Sequence, residues 1–110
     1  MAEQQRRFQR RELQVDFRAR HQSGDGQLLF ESADLSSGGS FLKSDLLLEV
    51  GETLVMEFRV PGETRIIRAQ GRVAWVRRFP RGEEPPGMGV EFLAMSEEDR
   101  QTLDQYLGQL

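Results

Sequence analysis

Cysteine is absent from this chain, and its 110 residues include only one histidine, one tryptophan and one tyrosine. Without cysteine there are no disulfides, no thiolate nucleophile and no thiolate metal ligand. The single imidazole, His21, lies in the polar stretch Arg20-His21-Gln22-Ser23 and reads as a solvated loop residue. One imidazole and scattered carboxylates match none of the spacings that hold zinc or calcium. An enzyme built on acid–base or nucleophilic groups and a metalloprotein are both disfavoured. Long apolar runs are missing as well. None approaches the roughly 20 residues that span a bilayer, and the opening Met1-Ala2-Glu3-Gln4-Gln5-Arg6-Arg7 has no apolar stretch behind it, so it is not a secretory signal. The expectation is a cytoplasmic protein without direct membrane insertion.

A chain of 110 residues fits one domain, which at this size buries roughly two-thirds of its unfolded surface and needs no crosslink. The formal net charge of -3 conceals an asymmetry. Arg6, Arg7, Arg10, Arg11, Arg18 and Arg20 fall within the first twenty residues, whereas Glu97, Glu98, Asp99 and Asp104 mark the end. That balance argues against a nucleic-acid binder. The acidic remainder repels a polyanion, and too few aromatics share one exposed face to stack single-stranded RNA. A local anion site stays open.

Along the chain the dominant period is two. Leu13, Val15, Phe17 and Ala19 alternate with Gln14, Asp16, Arg18 and Arg20, the pattern of a half-buried strand. Ser23-Gly24-Asp25-Gly26 then favours a hairpin, because Asp-Gly tolerates positive φ, and the chain returns through Leu28 to Ala33. Phe41-Leu42 makes a short strand. Leu54, Met56, Phe58 and Val60 mark another, closed by Pro61-Gly62. Ile67, Ala69, Gly71, Val73 and Trp75 share one face of a long strand in which Gly71 marks a bulge or bend. That shared face favours Trp75 as a barrel aromatic over a stacking platform for a base. Residues 77–87, rich in charge, proline and glycine, read as a mobile loop before a last strand through Met88, Val90 and Phe92. Ser96-Glu97-Glu98-Asp99 has the form of a helix N-cap with acidic residues at the positive end of the dipole, and Leu103, Tyr106, Leu107 and Leu110 follow at helical spacing. About six short antiparallel strands and one terminal amphipathic helix predict a small twisted barrel whose helix covers an opening or edge.

Two segments carry chemistry. Arg6-Arg7-Phe8-Gln9-Arg10-Arg11 supplies planar cationic forks, and Asp34-Leu35-Ser36-Ser37-Gly38-Gly39 supplies a carboxylate, hydroxyls and backbone without Cβ atoms. Each alone is ordinary. A charged terminus needs no ligand, and Asp, Ser and Gly are the usual residues of turns. Together they mean more, because a hairpin turning near Asp25 brings the start of its first strand, and so Arg10 and Arg11, toward Asp34. Guanidinium groups grip phosphate or the acceptor edge of guanine, and a carboxylate accepts from guanine's donor edge. The pair points to a guanine nucleotide. Gly87-Met88-Gly89 does not begin a dinucleotide fingerprint, since it leads into a strand and lacks both the third glycine and a following helix.

These residues match a known pattern. Arg6-Arg7-Phe8-Gln9-Arg10 has the form RxxxR, and Asp34 to Gly39 has the form [D/N]xSxxG. In that order and at that separation the chain resembles the PilZ domain, the bacterial receptor module for cyclic di-GMP. Gly71-Arg72-Val73-Ala74-Trp75-Val76, Met88-Gly89-Val90-Glu91-Phe92 and the terminal helix also look like this family. A second register, Arg7 with Arg11, exists. Arg6 with Arg10 is preferred because the alternating strand begins three residues after Arg10. Ser40 stands where the family often has an apolar residue.

The resemblance implies an all-β fold with a terminal helix: a six-stranded antiparallel barrel over residues 13–110, its helix at 96–109, behind a flexible arginine-rich arm at 1–12. It implies cyclic di-GMP on the outer surface, no catalysis and no other cofactor. Arg6 and Arg10 would contact phosphates and guanine edges and stack on bases, with Arg7 assisting. Asp34 and Ser36 would hydrogen-bond guanine or phosphate, and Gly38 and Gly39 would let the backbone turn close to the ligand. An unidentified protein partner in motility, surface polysaccharide or biofilm control is also implied. A nucleotide-independent interaction module of the same fold is the alternative.

Overall fold

The computed structural model describes residues 15–109 apart from 22, 23 and 25. Six strands and one helix follow one another as β1 (Asp16–His21), β2 (Gln27–Leu35), β3 (Gly39–Lys43), β4 (Thr53–Phe58), β5 (Ile67–Arg77), β6 (Gly87–Met95) and α1 (Glu97–Gly108). All pairings are antiparallel, and they close into a barrel in the order β1-β2-β3-β6-β5-β4. Closure pairs the strand edges that an open sheet of this size would leave exposed.

The period-two pattern sorts the side chains. Val15, just before β1, and Phe17 and Ala19 of β1 meet Leu54, Met56 and Phe58 of β4 and Ile67, Ala69 and Val73 of β5 inside the barrel. Phe17 stacks on Phe58 with ring centroids 4.3 Å apart, and Phe58 on Phe92 at 5.8 Å. Such aromatic pairs add to the burial of their area. Gly71 sits at this packing level because a Cβ there would lie 2.3 Å from the Met56 methyl.

Helix α1 begins where the sequence predicts. Ser96 caps it by accepting the Asp99 amide at 3.1 Å, and Glu97, Glu98 and Asp99 fill the first turn. Leu103, Tyr106 and Leu107 enter the barrel core; Leu110 lies outside the described residues. Asp99 anchors the helix. Its carboxylate accepts from Arg65 Nε at 2.6 Å and from the Arg68 amide at 3.1 Å, where β5 begins. Burial pushes this carboxyl up, but the Arg65 hydrogen bond, the Arg68 amide, the Arg65 charge and the Ser96 hydroxyl together hold it below the ordinary carboxylate value.

Several expectations need correction. His21 is the last residue of β1, half-buried, with Nε2 2.6 Å from Glu52 Oε1, so a carboxylate partner replaces the expected solvation. The β1–β2 hairpin forms, its last pair being Arg20 with Gln27, but Gly26 does not adopt positive φ, and Asp25 lies outside the described residues. A bulge does occur at Gly71, but the extra residue is Leu93 of β6, skipped between the pairs Gln70 with Ala94 and Gly71 with Phe92. The segment between β5 and β6 carries its own backbone bridge, Arg81 with Glu84. Trp75 is on the outer face, carried there by an extra residue at Ala74.

Candidate functional site

Two further bulges shape the outer surface. In β2, Ser32 pairs with Leu42 and Asp34 with Phe41, leaving Ala33 as an extra residue. Strict alternation would send Asp34 into the core behind Phe30 and Ser32. The bulge instead buries Leu35 completely and turns Asp34 outward. In β5, Val73 pairs with Val90 and Trp75 with Gly89, leaving Ala74 extra. Val73 stays buried while Trp75 comes out with 40% of its surface exposed.

The bulge in β2 is held by buried hydroxyls. Ser32 Oγ and Ser40 Oγ, 2.9 Å apart, both converge on the Asp34 carbonyl oxygen at 2.6 Å. This accounts for a serine rather than an apolar residue at position 40: the bulge leaves a carbonyl that needs buried donors. The Asp34 side chain accepts the Phe41 amide at 3.0 Å, which fixes its carboxylate at the strand surface.

Asp34, Phe41, Gly89 and Trp75 then occupy one row across β2, β3, β6 and β5. Gly89 is the low point of that row. A Cβ there would lie 2.1 Å from Trp75 Nε1, so only glycine lets the indole lie over β6. Phe41 slides in from the other side over Gly87, whose added Cβ would lie 2.5 Å from Phe41 Cζ. The two rings stack at 5.3 Å, and the Arg77 guanidinium carbon stands 5.0 Å from one centroid and 5.2 Å from the other. The face therefore offers a carboxylate, an aromatic platform with an open indole surface, and a guanidinium. Stacking, hydrogen bonding at a donor edge and neutralisation of an anion are all served there.

The predicted turn closes the same face. Ser36 is buried, donates to the Gly39 carbonyl at 3.3 Å and accepts the Gly38 amide at 3.2 Å. The Gly38 carbonyl accepts the Phe92 amide at 2.9 Å, and Arg100 of α1 donates to the Ser37 carbonyl. Gly39 is required for a reason other than tight turning. It does not have positive φ, and a Cβ would lie 2.1 Å from the Val90 carbonyl oxygen, so its role is close approach of β3 to β6. Asp34, Ser36, Gly38 and Gly39 are thus together. Arg6, Arg7 and Arg10 lie outside the described residues. The chain nevertheless reaches β1 beside this face, since Ser32 donates to the Val15 carbonyl at 2.9 Å and Asp16 pairs with Glu31.

The sequence alone marks neither Phe41 nor Arg77 as a site residue, and its two-residue period makes Trp75 a barrel aromatic. A glycine opposite each aromatic was the available signal, legible only with the strand register. A depression of about 420 Å³ lined by Arg18, Arg20, Gln27, Val55 and Glu57 shares no residue with this face. Among the described residues no cluster of His, Asp or Glu is arranged to hold a metal, and no helix is long and apolar enough to cross a membrane.

The sequence model of the PilZ domain matches residues 4–109. The chain belongs to the PilZ domain family. Solved PilZ structures share its fold. MotI, the inhibitor of motility of Bacillus subtilis, superposes with a TM-score of 0.78 at 24% identity over 96% of this chain. This chain spans only 51% of MotI. The PilZ domain of YcgR from Escherichia coli, solved with c-di-GMP, gives 0.69 at 21% identity, covering 97% of this chain and 92% of that one. The PilZ domain of CeSA from a cellulose-synthesizing bacterium gives 0.61 at 13% identity, over 91% of this chain and 95% of that domain. At these identities the likeness is one of fold. No curated protein matches this PilZ domain.

Proposed function

We propose that this PilZ domain is a cytoplasmic receptor for cyclic di-GMP. The observation that carries the reading is the outward row formed by Asp34, Phe41 and Trp75, with Arg77 over both rings. Guanine has a hydrogen-bond donor edge for a carboxylate and a π face for an indole, and the phosphates of the dinucleotide suit guanidinium groups. The arm at 1–12, with Arg6, Arg7 and Arg10, folds over that face and supplies the phosphate contacts. The course of the chain into β1 supports this, because Val15 is hydrogen-bonded to Ser32 two residues from Asp34. The YcgR structure with c-di-GMP supports the choice of nucleotide by shared fold.

Ordering the arm costs about 1 to 2 kcal/mol per backbone residue fixed, so affinity is modest and falls with salt. The bound arm and nucleotide present a new surface to a protein partner, which links the messenger to motility, surface polysaccharide or biofilm formation. Calorimetry of the full chain with cyclic di-GMP tests the reading. Heat of binding and a rise in melting temperature are expected; neither appearing at ligand excess would leave the nucleotide-independent interaction module as the better account.

A further inference from the structure

The segment joining β5 to β6 holds an aromatic side chain out into solvent. Phe79 is 79% exposed, the most exposed of the large apolar side chains among the described residues. Exposure of a phenylalanine is ordinary on a loose loop, but this one is braced. Arg81 and Glu84 exchange backbone hydrogen bonds at 2.9 and 3.0 Å around Gly82, which turns at a φ of 62°. Arg77 donates to the Pro85 carbonyl at 2.9 Å and stands 3.8 Å from Glu84. The Pro86 carbonyl accepts the Ser44 amide from the β3–β4 connection at 3.2 Å.

Phe79 is flanked by Arg78 and Arg81, both exposed. Lys43, Arg65, Arg68 and Arg72 each meet a carboxylate on a neighbouring element. Among the described residues neither Arg78 nor Arg81 forms such an ion pair. An aromatic side chain between two unpaired guanidinium groups on a braced loop has the composition of an interface anchor, where arginine and aromatic residues are enriched.

We propose that the 78–86 loop is a docking surface for a protein that offers an apolar pocket rimmed by carboxylates. Phe79 fills the pocket, and Arg78 and Arg81 pair with the rim. An anionic membrane fits less well, because its uniform negative charge would meet the exposed Glu83 and Glu84 of the same turn as well as the arginines, whereas a protein rim can set its carboxylates opposite Arg78 and Arg81 alone. Arg77 ties this surface to the candidate nucleotide face, since the guanidinium that holds Pro85 and Glu84 also lies over Phe41 and Trp75. That link, unlike the docking surface, rests on the cyclic di-GMP reading.

The test places photoreactive p-benzoylphenylalanine at position 79 of the full chain in the bacterium that produces it. Leu29, 76% exposed on β2, serves as the control position. A discrete protein adduct is expected from 79 and none from 29, with the adduct abolished by combined Arg78→Glu and Arg81→Glu. The purified partner should then bind Phe79→Ala about tenfold or more weakly. Equal adducts at both positions, an adduct that survives charge reversal, lipid adducts alone, or undiminished binding by Phe79→Ala would each overturn the docking surface. Adding cyclic di-GMP, or removing it with a phosphodiesterase, should change adduct yield, and Arg77→Lys should abolish that response; a yield indifferent to nucleotide overturns the link. Calorimetry on the same labelled protein separates the failures. Nucleotide bound without an adduct sinks the docking surface alone, and an adduct without nucleotide binding supports it while sinking the receptor reading.

Discussion

Phe41 and Trp75 stack across Gly89, with ring centroids 5.3 Å apart and planes 19° from parallel. Their strands are not neighbours. β6 runs between them, and the rings meet only because the residue between them has no side chain. Phe41 is covered, whereas Trp75, at the far end of the row that starts at Asp34, is 40% exposed.

Replacing Trp75 with Ala should weaken cyclic di-GMP binding by about fivefold to a hundredfold, in line with the roughly 1 to 3 kcal/mol that base–aromatic stacking provides. Trp75 is the chain's one tryptophan, so its emission reports the platform directly. Titrating the unaltered protein should shift that emission; a constant spectrum with unchanged affinity in the variant would take Trp75 out of the site.

Asp34 has two tasks that substitution can separate. Asp34→Ala leaves the Phe41 amide without its acceptor, at a cost of about 1 kcal/mol, and should also weaken nucleotide binding by more than about tenfold. Asp34→Asn keeps a carbonyl for the amide but loses the charge, so its melting temperature should stay near the parent's while affinity falls. Parental affinity in both variants would exclude the carboxylate from ligand contact.

Glycine substitutions test the close approaches. Gly39→Ala places a methyl 2.1 Å from a backbone oxygen that cannot rotate away, and overpacking of this kind costs about 1 to 3 kcal/mol. A drop of about 4 °C or more in melting temperature is expected for a domain of this size. Gly108→Ala, with nothing within 4 Å, should be neutral or slightly stabilising through helix propensity. Equal effects from the two would contradict the β3–β6 contact.

Asp99 sets a pH dependence. Its carboxyl titrates lower in the folded chain than in the unfolded one, where the ordinary value is 3.8. The unfolded chain therefore takes up the proton first as pH falls. The stability that Asp99 contributes is complete above the unfolded value and is lost as pH drops through the lower folded one. Asp99→Asn should lower stability at pH 7 by roughly 1 to 3 kcal/mol, a range that already discounts the half-exposed Arg65, and flatten the decline below about pH 4. Matching acid-unfolding curves for the two proteins would show that the helix anchor is not electrostatic.

The strands, the cap at Ser96 and the barrel were legible because alternation of apolar residues and a Ser-Glu-Glu-Asp start are local properties of the chain. The Asp34 to Gly39 turn was legible as chemistry. Its surroundings were not. Ser40 had no evident purpose until the bulge at Ala33 created a buried carbonyl for it to satisfy. Trp75 counted with Val73 in a two-residue period, and one extra residue at Ala74 reversed its face. Gly39 looked like a turn residue and proves to be a point of strand contact.

Which segments extend and which one coils follow from side-chain period and backbone preference, and the arginine cluster and the carboxylate-bearing turn are plain in the chain's own order. That Asp34 and Trp75 face outward, against the alternation of their strands, is settled by the assembled barrel. A bulge shifts every residue beyond it by one position, and whether a strand bulges depends on the length, hydroxyls and glycines of the strands paired with it, which no single segment contains.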